Sequence, residues 1–160
     1  MIQFFVSTEP DREKALHYYM LMKKFNVKPT AHTYKLLLDC YGHIQPYDMV
    51  SVQAVFSELE RQPKVDVEGV HWASIITAQG GYQKNIEEAI RIFDSIQLHP
   101  TSQRMLLPDA VCYEAILNAC VSNGRYELMD HYLAQMKERN IHSTAYVENS
   151  RIRVRFSSCL

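Results

Sequence analysis

The residues of this 160-residue chain with the most evident chemical capacity are seven histidines and four cysteines. Cys40, Cys112, Cys120 and Cys159 form no CxxC pair. His17, His32, His43, His71, His99, His131 and His142 form no HExxH, and no cysteine completes a zinc motif with them, so no metal centre is expected. The cysteines read instead as small apolar residues buried in a reducing compartment. Serine, histidine and aspartate are present, but no nucleophile elbow or other motif assembles them. Gly80 and Gly81 lack the following Lys and Ser or Thr that a phosphate-cradling loop requires. Catalysis, a cofactor and a small-molecule substrate are therefore not expected. The chemistry left to this chain is recognition by a surface.

Bulk composition narrows the kind of surface. With 47% hydrophobic and 22% charged residues the chain reads as an ordinary soluble globular protein. No uncharged apolar run approaches the roughly 20 residues of a membrane-spanning helix. The start, Met1 to Val6 followed by Ser7, Thr8, Glu9 and Pro10, has no secretory pattern, and no targeting segment is visible. Seventeen Lys plus Arg against eighteen Asp plus Glu leave a net charge of -1, so no overall basic field would attract a phosphate backbone.

Self-similarity supplies the organisation. The segments AHTYKLLLDCY from Ala31, GVHWASIITAQ from Gly69 and AVCYEAILNAC from Ala110 each place an aromatic, Tyr34, Trp72 or Tyr113, fourth, with an apolar pair after it. Each is followed by a second amphipathic run, VSVQAVFSELER, EEAIRIFDSI or ELMDHYLAQMKER. Every unit is thus two helices, and the units span 31–68, 69–109 and 110–144, the shortest being 35 residues. Residues 1–30 fit the same template as a partial unit whose opening is missing, with the apolar lead Met1, Ile2, Phe4 and Phe5 expected to be exposed. Residues 145–160 form an incomplete unit or irregular tail, in which Arg151, Arg153 and Arg155 alternate with Ile152, Val154 and Phe156.

The boundaries have local causes. Pro29 with Thr30, and Pro108 with Asp109, pair a helix stop with an oxygen that can cap the next helix. Gly124, and Gly80 with Gly81, are expected to supply turn freedom between paired helices, while Ile44 to Tyr47 and Leu98 to Leu107 extend loops. Ala15, Leu16, Tyr19 and Met22, like Ala89, Ile92, Phe93 and Ile96, form a stripe at helical spacing. One helix pair cannot bury such a stripe, so the expected fold is all-α: a solenoid, or α-α superhelix, of stacked antiparallel helix pairs with a period near 35 residues. Tyr34, Trp72 and Tyr113 belong to its packing.

This pattern resembles the pentatricopeptide-repeat family. The resemblance rests on the period, on His32-Thr33-Tyr34 near a unit's start, on Phe56 with Leu59 and Phe93 with Ile96 late in the second helices, and on the closing Pro-Thr or Pro-Asp. It implies binding of single-stranded RNA along one concave face, about one nucleotide per unit, with a first-helix residue and the last residue of the unit reading the base. Carried over, the reading pairs are Lys35 with Glu68, Ala73 with Asp109, and Glu114 with Thr144. The residues that would sandwich the bases are His32, Val70 and Val111, then Tyr146. The resemblance also implies a mitochondrial role in RNA processing, stability or translation. The alternative is a protein-binding scaffold that uses the same surface.

Overall fold

The computed structural model describes residues 1–96 and 107–142. Among them are seven α-helices: α1 (Arg12–Lys24), α2 (Ala31–His43), α3 (Met49–Glu60), α4 (Gly69–Ile76), α5 (Ile86–Ser95), α6 (Ala110–Ser122) and α7 (Tyr126–Glu138). A π-helical turn, Phe4–Thr8, precedes α1, and a second, Thr77–Tyr82, continues α4. No strand occurs among the described residues.

Short polar side chains start most of these helices. The Asp11 carboxylate accepts from the Lys14 N–H, Asp48 from Ser51 and Asp109 from Cys112, each at 3.0 Å, and Asn85 accepts from Glu88 at 3.2 Å. At α2 the cap is reciprocal: Thr30 Oγ1 accepts from the Thr33 N–H at 3.3 Å and Thr33 Oγ1 accepts from the Thr30 N–H at 3.2 Å. The second helices α1 and α7 end alike. Asn26 (φ 55°) and Asn140 (φ 54°) take the left-handed conformation, and the next N–H, of Val27 or Ile141, returns to the carbonyl of Met22 or Met136 at 2.9 Å.

Helix α3 folds back on α2, α5 on the α4–π segment, and α7 on α6, while the first helices α2, α4 and α6 lie side by side, α4 packing most extensively against α6. The expected all-α architecture of stacked helix pairs is observed. Its core runs continuously through the units. Tyr34, Trp72 and Tyr113 are buried in it, and Phe93 makes edge contacts with Tyr113 and Tyr132 at centroid distances of 5.0 and 5.1 Å. The Tyr34 hydroxyl donates to Glu58 and that of Tyr113 to Gln135, both at 3.4 Å, tying first helix to second at equivalent places. Burial of each large side chain contributes roughly 1.5–3 kcal/mol, so stacking rather than helix propensity stabilises the array.

Two expectations are corrected. Ile2 and Phe5 are buried, Phe5 stacking on Tyr18 with centroids 5.7 Å apart, so only Met1 and Phe4 of the apolar lead are exposed. Gly80 and Gly81 are not the turn glycines: they lie within the π-helical segment, and the positive φ that closes this turn (59°) is at Lys84. Gly124 does carry the expected positive φ, 67°. Gly80 serves close approach instead, since a Cβ there would stand 2.4 Å from the Cβ of Ala119 on α6.

Candidate nucleic-acid interface

The three first helices are positioned by bonds that repeat from unit to unit. Counted from the first residue of each first helix, the third side chain reaches back to the first carbonyl of the preceding unit. His71 Nδ1 accepts from the Glu68 N–H at 2.9 Å, which leaves Nε2 protonated to donate to the Ala31 carbonyl at 2.8 Å. Cys112 Sγ donates to the Gly69 carbonyl at 3.5 Å. His71 is fully buried, so this histidine is part of the scaffold.

Side-by-side first helices leave an open groove along one face. Its upper chamber, about 430 Å³, is lined by Thr30, Ala31, His32, Lys35, Glu68 and Val70. A second, about 240 Å³, continues from it past Lys35 and Val70 to Asp39, His43, Ala73, Ser74, Thr77 and Val111. Six of the residues named from sequence, His32, Lys35, Glu68, Val70, Ala73 and Val111, therefore meet in one groove, contributed by α2, by the α4 segment with its preceding residue, and by the first turn of α6. Beyond Thr30 and Glu68 the groove opens onto a cavity of about 610 Å³ between the loops that join units, with Lys28 and Lys64 on its walls.

The named residues differ in what they can offer. His32 and Glu68 are exposed. Ala73 is buried and has no polar group, so this position offers shape alone. Asp109 is committed to capping α6 through the Cys112 N–H, and it lies against Gly69, whose missing Cβ would come within 2.1 Å of the carboxylate. Glu114 is half-buried on α6. Thr144, Tyr146 and the tail from 145 to 160 lie outside the described residues, as does most of the extended link from 98 to 107.

Sequence reading missed the floor of the groove. Asp39 is buried, with the Lys35 ammonium donating to its Oδ2 and Ser74 Oγ donating to its Oδ1 at 2.6 Å. His43 Nδ1 stands 3.5 Å from the same Oδ1, and its Nε2 is 3.1 Å from the Ser74 carbonyl. The exposed Tyr82 packs on His43 with centroids 4.8 Å apart, and Tyr47 packs on Tyr82 at 5.5 Å. The available signal was a lone carboxylate in LLLDCY, four residues after Lys35 and four before His43. No group of three or more His, Cys, Asp or Glu that could hold a metal ion occurs among the described residues. No helix among them is long and apolar enough to cross a membrane.

A family model described as "Pentatricopeptide repeat domain" matches residues 5–44 and 98–149, more than half of the chain. The chain is also 32% identical over 154 residues, 96% of its length, to "Pentatricopeptide repeat-containing protein 5, mitochondrial" of Schizosaccharomyces pombe. It spans 12% of that relative's length.

Proposed function

We propose that this chain, which belongs to the pentatricopeptide repeat family, binds single-stranded RNA along the groove formed by α2, α4 and α6. The observation that carries the reading is the meeting of His32, Lys35, Glu68, Val70, Ala73 and Val111 along one groove, although they come from three different units of the sequence. Valines and a histidine at the second place of each unit offer walls between which an unstacked base can lie, Glu68 offers an acceptor for its edge, and the Lys35 ammonium offers a donor that can meet the base edge or an adjoining phosphate.

In this reading the units 31–68, 69–109 and 110–144 act as successive modules, and Thr144 completes the last pair with Glu114. The mitochondrial name of the relative supports a mitochondrial site of action, in transcript processing, stability or translation. The family fold supplies binding surfaces rather than catalytic groups, which favours a non-enzymatic role.

The test is titration of a labelled, unstructured RNA pool against the 160-residue chain across a salt series, with Lys35→Ala as comparison and circular dichroism confirming folding. Binding in the micromolar range that weakens with salt, and weakens further in the variant, is expected. A folded, helical chain that binds no RNA at low salt overturns the proposal and leaves the groove as a protein-docking surface, a reading favoured by the near-neutral net charge.

A further inference from the structure

Lys35 is the only cation at the fifth place of the three first helices, where α4 has Ala73 and α6 has Glu114. Asp39 is likewise the only anion at the ninth place, where the others have Thr77 and Asn118. The unit with the cation is thus the unit with a counter-ion one helical turn below it. The two are joined, and their exposures differ: the Lys35 side chain is 35% exposed and that of Asp39 is 7%. A carboxylate so far from water requires a partner charge and further hydrogen bonds. Ser74 Oγ supplies the bond from α4 at 2.6 Å, and the Lys35 ammonium supplies the charge.

We propose that Asp39 is a positioning residue of the groove, whose buried carboxylate holds the Lys35 ammonium on the floor and competes with an RNA phosphate for it. The inference rests on the RNA-binding reading above. Packing of the units does not by itself call for this pair. At the more extensive contact between α4 and α6 the residues of the α4–π segment that correspond to Lys35 and Asp39 are Ala73 and Thr77, both uncharged. Around the carboxylate, α2 contributes Lys35 and His43 and α4 contributes Ser74. His43 Nδ1 is farther from it, at 3.5 Å, and its ring is also engaged by Tyr82 and the Ser74 carbonyl, so Lys35 is the group that an incoming anion could draw away.

The experiment compares the 160-residue chain with Asp39→Asn, Ser74→Ala, Lys35→Ala and the double variant Asp39→Asn with Lys35→Ala. Asparagine keeps an oxygen to accept from Ser74, while it removes the charge and puts an NH2 donor in place of the oxygen to which Lys35 donates. Acetylation of the Lys35 amine, followed by peptide mass spectrometry, reads the clamp without RNA, and binding of a labelled oligouridylate across a salt series reads its consequence. Asp39→Asn is expected to acetylate several-fold faster at Lys35 and to bind RNA about tenfold tighter at low salt, the worth of one charge-assisted contact. Its salt slope steepens by roughly 0.7. The double variant loses that gain, and Ser74→Ala does not show it.

Unchanged acetylation in Asp39→Asn, or a gain in affinity that survives loss of Lys35, overturns the inference. Faster acetylation with RNA bound no more tightly overturns the competition while the RNA reading stands. Faster acetylation with no RNA bound by any variant overturns the RNA reading and the competition with it, and leaves the pair a structural clamp.

Discussion

The Cβ of Ala119 on α6 lies 2.4 Å from the point that a Cβ on Gly80 would occupy, so these two segments approach at a distance that only glycine allows. Gly42 and Ala78 repeat the relationship one unit earlier at 2.7 Å. In both cases the twelfth residue of one unit receives the tenth of the next. The spacing of the first helices, and hence the width of the groove, is set at these points.

Gly80→Ala should therefore destabilise the chain by about 1–3 kcal/mol through overpacking, measured by urea denaturation. Gly81→Ala is the control, because its Cβ would meet only Thr77 Cγ2 at an ordinary 3.5 Å. Equal losses at both positions would remove close approach as the cause.

Asp109 caps α6, and the proposed RNA reading gives it a second task that substitution can separate from the first. Its carboxylate accepts from the Cys112 N–H at 3.0 Å, so Asp109→Ala should cost about 1 kcal/mol of stability, whereas Asp109→Asn, an equally good cap, should cost only a few tenths. Thermal melts of the two variants check this. Asparagine is accordingly the substitution with which to test Asp109 in RNA binding, since alanine alters the helix as well.

His71→Ala should be more damaging, at about 2 kcal/mol or more, because it opens a cavity in the array and strips the partner from the Ala31 carbonyl and the Glu68 N–H. Chemical denaturation reads the loss. A surface histidine such as His131 replaced by alanine should change stability by less than about 0.5 kcal/mol.

Stability should fall on the alkaline side. Burial pushes the thiols of Cys40 and Cys120 from 9.0 up to about 11, raises Cys112 further, and pushes the phenols of Tyr19 and Tyr34 from 10.0 up to about 12. The unfolded chain then releases these protons first, so it holds fewer protons than the folded chain above 9.0. The stabilisation is complete below the unfolded values and is lost as pH rises through 9.0 and 10.0 toward the folded ones. Melting temperatures measured from about pH 8 upward should decline steadily through this range. At about pH 8 the three buried thiols should react with iodoacetamide far more slowly in the folded chain than in urea.

The repeats were legible because their determinants are local. Thr30 and Asp109 can be recognised as caps beside Pro29 and Pro108, and Tyr34, Trp72 and Tyr113 recur at one place with apolar neighbours. Gly80 was misread because the freedom of a turn and the thinness of a contact use the same residue. The deciding neighbour, Ala119, is thirty-nine residues further along. The groove floor was overlooked for the same reason: Lys35 and His43 are visible from Asp39 at helical spacing, but Ser74, which joins the carboxylate to the next unit, is thirty-five residues away.

By itself, then, the sequence determined the all-α repeat, its caps and the positions that line up from unit to unit, since these follow from helical periodicity and from bonds spanning three or four residues. Tertiary structure alone decided which of those positions are free to meet a ligand. Asp109 is pressed against Gly69 of α4, His71 is taken up by the Ala31 carbonyl, and Lys35 is held by a carboxylate that Ser74 of the next unit helps to bury. The strength of such partnerships depends on burial, and burial is a property that neighbouring units create only once they are stacked.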